Sequence, residues 1–106
     1  MRYVKVARRD QVGSEEALKV EVDGHQIALL ACEGQVYAVS NVCTHEYAEL
    51  HEGFVEGCLI ECPLHGSQFD VRTGEVRSLP ATKDLATYPV KIEGDDVLVG
   101  LDEGGT

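Results

Sequence analysis

The sequence predicts an all-β fold: an antiparallel β-sandwich interrupted by an inserted segment over about residues 41–81. Three observations carry this expectation. Apolar residues fall in short segments, alternating or continuous, of strand length. Glycine-bearing turn signals separate those segments at near-regular intervals. No stretch carries the apolar spacing of a long amphipathic helix.

Each element follows in order. Tyr3 to Ala7 forms a first strand, and Asp10 to Ala17 supplies at most a short turn of helix. Leu18-Lys19-Val20-Glu21-Val22 alternates apolar and polar residues and ends at Asp23-Gly24, a tight hairpin signal. Gln26 to Cys32 is nearly continuous in apolar residues and reads as a more buried strand. Glu33-Gly34 then turns the chain into Gln35 to Val39, completing a three-stranded meander. A long irregular stretch runs from Asn41 to Gly57, followed by a short strand from Cys58 to Cys62. Gln68 to Val71 and Glu75-Val76 flank the turn Arg72-Thr73-Gly74, and Ser78 to Asp84 is a loop containing Pro80. Thr87 to Ile92 and Val97 to Leu101 pair across Glu93-Gly94-Asp95-Asp96, and the tail Glu103 to Thr106 is expected to fray. The inserted segment is where function is expected, because loops on a rigid scaffold carry it.

Composition narrows the function. A chain of 106 residues suits a single domain, 1–106. Acids outnumber bases 19 to 9, a formal net charge of -10. That excludes a nucleic-acid binder, which needs a basic face, and disfavours docking on anionic membranes. The longest uncharged apolar run, Ile27 to Cys32, is far below the roughly 20 residues that span a bilayer. The N-terminus shows no signal-peptide pattern, so a cytoplasmic protein is expected. A reducing compartment favours metal ligation over disulfides for the four cysteines, Cys32, Cys43, Cys58 and Cys62.

Two clusters combine cysteine with histidine: Cys43-Thr44-His45 and Cys62-Pro63-Leu64-His65, with sixteen residues between His45 and Cys62. Zinc is the first candidate for four such ligands. Zinc fingers, however, pair Cys with Cys and His with His, on a hairpin and a helix. Here each loop mixes the two types. Mixed loops suit a two-iron two-sulfur cluster in which one iron takes two cysteines and the other two histidines.

At this point the sequence resembles a known family. The pattern C-x-H, a gap of sixteen, then C-x-x-H followed by Gly66 resembles the Rieske motif. The continuation Ser67-Gln68-Phe69-Asp70-Val71-Arg72-Thr73-Gly74 is also similar, as is Leu79-Pro80-Ala81, which looks like the proline loop that covers a Rieske cluster. The resemblance extends to Tyr88-Pro89-Val90-Lys91-Ile92 and points to the soluble Rieske ferredoxins of bacterial aromatic-ring dioxygenase systems. It implies a Rieske fold with a cluster-binding subdomain over about 41–81. It implies that Cys43 and Cys62 hold the inner iron of a 2Fe-2S cluster and His45 and His65 the outer one. It also implies an electron carrier and not an enzyme. Its partners would be a flavin-containing, NAD(P)H-dependent ferredoxin reductase and a terminal Rieske non-haem iron oxygenase, met as a monomer. A Rieske-type small subunit of a larger oxidoreductase such as nitrite reductase is the alternative; a zinc-binding interaction module is a third.

The remaining chemistry-bearing residues have plainer readings. Cys58 precedes Cys62 by four positions, roughly 13 Å in an extended strand, which is too far for a bond between them. Cys58 and Cys32 are expected to be free, inert and buried. His25 and His51 are expected at the surface, and Tyr37, Phe54 and Phe69 in core or loop packing. From Asp10 to Val71 the only basic residue is Lys19, against twelve acids. Glu46, Glu49, Glu52, Glu56 and Glu61 lie between the ligand pairs and would steer docking on basic partner surfaces.

The resemblance also bears on redox potential. Neutral imidazoles in place of two thiolates raise a cluster from about -400 mV into a range of roughly -150 to +300 mV. High-potential respiratory relatives add a disulfide between the two loops, where this chain has Ala48 and Leu64. They also place serine and tyrosine hydroxyls near the cluster sulfurs; this chain keeps Ser67 but has Phe69 for the tyrosine. The expected centre is of low potential, raised slightly by Ser67. A redox titration checks this, with a midpoint at or below about zero expected and one well above zero counting against it.

Overall fold

The computed structural model describes residues 1–102 of the chain, so the expectation for Glu103 to Thr106 lies outside the described residues. Its regular structure is almost wholly strand: β1 (Arg2–Arg8), β2 (Leu18–Val22), β3 (His25–Cys32), β4 (Gln35–Ser40), β5 (Val55–Glu56), β6 (Leu59–Glu61), β7 (Gln68–Asp70), β8 (Thr87–Tyr88), β9 (Val90–Glu93) and β10 (Asp96–Leu101). Short 3-10 turns occupy Arg9–Gln11 and Leu50–Glu52. Three antiparallel sheets result, ordered β1-β10-β9, β2-β3-β4-β8 and β5-β6-β7.

The meander forms as its turns dictate. Asp23 and Gly24 adopt φ of 50° and 81°, and Glu33 and Gly34 adopt 52° and 80°. Two successive positive φ values define the hairpin turn whose twist matches the strands it joins. The registers follow, with Val22 opposite His25 and Cys32 opposite Gln35.

The β2-β3-β4-β8 sheet is the middle layer, and β3 shows why. Ile27 and Leu29 pack with Val97, Val99 and Leu101 of β10. Their neighbours Ala28, Leu30 and Cys32 pack with Leu50, Ile60, Phe69 and Val71 on the other side. Strand side chains alternate between faces, so a strand covered on both must be apolar at successive positions. β4 repeats the arrangement: Val36 and Ala38 face β10, while Val39, with Tyr37 beside it, faces the β5-β6-β7 layer. β2 is covered on one face only and keeps Lys19 and Glu21 outward.

Four expectations are corrected. The strand expected from Thr87 to Ile92 is two strands, because Pro89 lacks an N–H. β8 pairs with β4, while β9 crosses to pair with β10. The two-residue β5 lay inside a stretch read as irregular. Phe54 is 77% exposed and not packed, its backbone carbonyl accepting the Glu61 N–H at 2.8 Å. Most consequentially, Cys32 and Cys58 form a disulfide, with α-carbons 5.5 Å apart. Local spacing excluded only a bond to Cys62; the fold brings the end of β3 against the turn before β6.

An ion pair anchors the third sheet to the second. Asp70, 2% exposed, accepts both Nε (3.0 Å) and Nη2 (2.9 Å) of Arg72, and Arg72 Nη1 reaches Glu33 in the β3–β4 turn at 3.1 Å. Hydrogen bonds from the Arg72 side chain hold the Asp70 carboxyl down to about 2, against an ordinary 3.8. The folded value lies below the unfolded one, so the stabilisation is complete above about pH 4 and is lost as pH falls toward about 2. Asp70→Asn is expected to cost on the order of 2 kcal/mol at neutral pH and to flatten the acid limb of stability between those values. Denaturant melts across pH check both.

Candidate metal centre

Two short loops carry the four candidate ligands and close in the same way. The Cys43 N–H donates to the Ala48 carbonyl at 3.0 Å, and the Cys62 N–H donates to the Ser67 carbonyl at 2.8 Å. Each loop begins at a cysteine and carries its histidine near the tip. The first is closed off by the bridge between Val42 and Glu49, the second by the pairing of Glu61 with Gln68. In the second, Gly66 at φ 79° donates back to the Cys62 carbonyl at 3.0 Å, a turn that favours glycine. At Gly53 any Cβ would collide with the Glu61 carbonyl, so β6 lies directly against the chain leaving the first loop.

The loops bring the two thiols together on the inside and the two imidazoles together on the outside. Cys43 and Cys62 are 5% and 2% exposed, in one core with Leu50, Ile60, Phe69 and Ala81. Neither is in a disulfide. Burial pushes the Cys62 thiol up; the backbone N–H of Leu64 draws it down, and the neighbouring Cys43 thiol raises it further. The His45 and His65 rings lie 5.4 Å apart between centroids, with side chains 35% and 44% exposed. Glu46 sits across both, its carboxylate oxygens 3.7 Å from His45 Nε2 and 3.3 Å from His65 Nε2.

Supporting contacts fix this arrangement. Buried Ser67 accepts the Ala81 N–H at 2.9 Å, which pins the Leu79-Pro80-Ala81 loop over the core holding both cysteines. Thr44 Oγ1 donates to the Lys83 carbonyl at 2.7 Å and ties the first loop to the same segment. Phe69 is fully buried, as expected.

Sequence reasoning missed Asn41. It is fully buried; its Oδ1 accepts the His51 N–H at 2.8 Å, and its Nδ2 lies 3.0 Å from His51 Nδ1. His51 is therefore half-buried and structural, not a free surface residue. An amide side chain directly after an apolar strand and two positions before Cys43 was the available signal. Glu49, expected among the steering acids, is engaged by Lys19 at 2.5 Å; that hydrogen bond raises the lysine pKa and lowers the glutamate's.

Two soft thiol and two imidazole donors, each pair split between two loops, fit an iron–sulfur or zinc centre. Comparison with known proteins separates these. The family model described as the Rieske [2Fe-2S] domain matches residues 2–89. A Ralstonia sp protein, the ferredoxin component of naphthalene 1,2-dioxygenase/salicylate 5-hydroxylase systems, is 44% identical over 94% of this chain and 96% of its own length. The solved ferredoxin of carbazole 1,9a-dioxygenase from Nocardioides aromaticivorans IC177 superposes with a TM-score of 0.91 at 36% identity, covering 96% of this chain and 100% of its own. A ferredoxin in the solved complex of reduced oxygenase and oxidized ferredoxin in carbazole 1,9a-dioxygenase superposes at 0.85 with 34% identity, over 92% of this chain and 100% of its own.

The chain belongs to the Rieske [2Fe-2S] domain family, whose cofactor is a 2Fe-2S cluster. Within that family it is similar to the ferredoxin components of dioxygenase systems, which carry electrons and are not themselves catalysts. Cys62→Ser is expected to abolish cluster incorporation, read as lost visible absorption and lost iron and sulfide in the purified protein. His51→Ala keeps the backbone N–H to Asn41 Oδ1 and is expected to retain the cluster at lower thermal stability, by about 1 kcal/mol for the one lost hydrogen bond between its Nδ1 and Asn41 Nδ2. Full cluster content in Cys62→Ser would remove that residue from the ligand set.

Proposed function

We propose that this chain is a low-potential Rieske ferredoxin. It shuttles single electrons from a flavin-containing, NAD(P)H-dependent reductase to a terminal Rieske non-haem iron oxygenase that attacks aromatic rings. Cys43 and Cys62 hold one iron and His45 and His65 the other, on a cluster-binding subdomain over about 41–81. The convergence of two matched loops with thiols buried and imidazoles exposed carries the reading. A bound 2Fe-2S cluster supplies one-electron redox chemistry. The chain's own residues exclude water from the cysteine side and leave the histidine side open to a partner.

The surroundings suit a transient carrier. Tyr47 and Leu64 on the two loops and Leu79 beside them are 66%, 51% and 74% exposed, an apolar rim on the ligand-bearing end. Glu46, Glu52 and Glu56 are exposed and, among the described residues, have no lysine or arginine partner. Together they offer an acidic field for a basic partner. The protein works in the cytoplasm as a monomer; among the described residues no helix is long and apolar enough to cross a membrane. The small-subunit alternative has weaker support, since the similar full-length relatives are ferredoxin components.

Electron paramagnetic resonance of the reduced protein tests the cluster, whose mixed-ligand signal differs from that of an all-cysteine centre. Electron-transfer rate to a terminal oxygenase is expected to fall as ionic strength rises. The triple change Glu46→Gln, Glu52→Gln, Glu56→Gln is expected to flatten that dependence; a rate indifferent to salt in the unaltered protein would contradict steering.

A further inference from the structure

The Cys32–Cys58 bond lies outside the proposed ligand set and joins two layers of the fold. Cys32 closes β3 in the middle sheet, and Cys58 lies in the turn between β5 and β6. The bond spans a sequence separation of 26, and the enclosed segment contains β4 and the whole Cys43–Ala48 loop. Two weaker ties run beside it: the Val71 N–H donates to the Cys58 carbonyl at 2.9 Å, and Arg72 reaches Glu33 at 3.1 Å.

The bond is also reachable. A cleft of about 400 Å³ opens over it, lined by Ala31, Cys32, Glu33, Gly57, Cys58 and Arg72 among others. Cys32 is only 6% exposed, while Cys58 is half-buried, so a reagent in the cleft meets Cys58 first. Arg72 and Glu33 line the cleft as an ion pair, so the residues beside the bond do not repel an incoming thiolate as a uniformly acidic surface would. Thiol–disulfide exchange needs this access, since the thiolate attacks one sulfur in line with the other.

We propose that Cys32–Cys58 is a modification site for small-molecule thiols, and that its redox state sets how firmly the two metal-binding loops are held on the sandwich. A first thiolate bonds to Cys58 Sγ, the disulfide breaks, and Cys32 leaves as a thiolate that takes up a proton. A second thiolate then attacks the sulfur of the bound thiol, Cys58 leaves as a thiolate that takes up a proton, and the two small thiols depart as their own disulfide, having supplied two electrons. The reverse exchange with an oxidised small-molecule disulfide closes the strap again. The retention half of this proposal rests on the ligand assignment proposed above; the exchange half does not.

Holoprotein purified without reductant is incubated with millimolar glutathione or with its disulfide. It is then denatured and alkylated to count thiols, in parallel with melting and the decay of visible absorption. Two reactive thiols, Cys43 and Cys62, are expected without thiol treatment and all four after it. Opening a closed loop of this length is expected to lower the melting midpoint by about 10 °C and to speed cluster loss several-fold. The variant Cys32→Ser with Cys58→Ser should match the reduced protein and ignore added thiol, which separates strap opening from direct stripping of iron. Four reactive thiols in untreated protein, or a bond that resists thiol in the native state, would overturn the exchange site. Equal melting and cluster lifetimes in the two states would overturn the retention role while leaving the ligand assignment standing.

Discussion

The structure depends on one sheet being buried on both faces. β3 and β4 present one set of apolar side chains to the β1-β10-β9 layer and the intervening set to the layer that carries the two Cys/His loops. A shift of register by one residue would exchange the two sets and misfit both cores at once. The hairpin turns at Asp23-Gly24 and Glu33-Gly34 hold that register from either end. Everything functional is cantilevered from this layer: Asn41 leaves β4 and braces the first loop, while Arg72 and Cys58 tie the second back to the β3–β4 turn.

On that support the loops achieve a division that the chemistry of a carrier requires. Thiols sit among Leu50, Ile60 and Phe69, where they are shut off from water. Imidazoles stand at the surface with a single carboxylate between them. Ser67 serves the enclosure through its hydroxyl, which fixes the segment at Ala81. The hydroxyl singled out for its proximity to sulfur therefore also holds the lid of the core in place.

Much of this was legible in the chain. Local features were read well, because turn chemistry and side-chain alternation are short-range: the meander, the β9–β10 hairpin and both Cys/His loops follow from neighbours within a few residues. What escaped depended on distant packing. Cys32 and Cys58 are 26 positions apart, and no local pattern says that the β3 end meets the β5–β6 turn. The compartment argument against disulfides outweighed a pairing it had no means to see. Asn41 and His51 looked like ordinary polar loop residues until the fold buried one against the other. Phe54 looked like packing because aromatics usually are, yet among the described residues nothing covers it at the edge of the small third sheet.

With the cluster held as proposed, the outward placement of both imidazoles gives the molecule a single conducting pole. A partner that strikes the β1-β10-β9 end meets two layers of sheet between itself and the proposed ligands. Docking one specific patch onto another already cuts association from a collision limit of about 10⁹ M⁻¹s⁻¹ to roughly 10⁵–10⁷ M⁻¹s⁻¹. For a carrier that must complete two such encounters per electron, rotational search becomes a limit on traffic. A reductase and an oxygenase of the proposed kinds would need the same pole and would compete for it. Such a protein works by turnover of successive binary complexes, not by bridging its two partners at once.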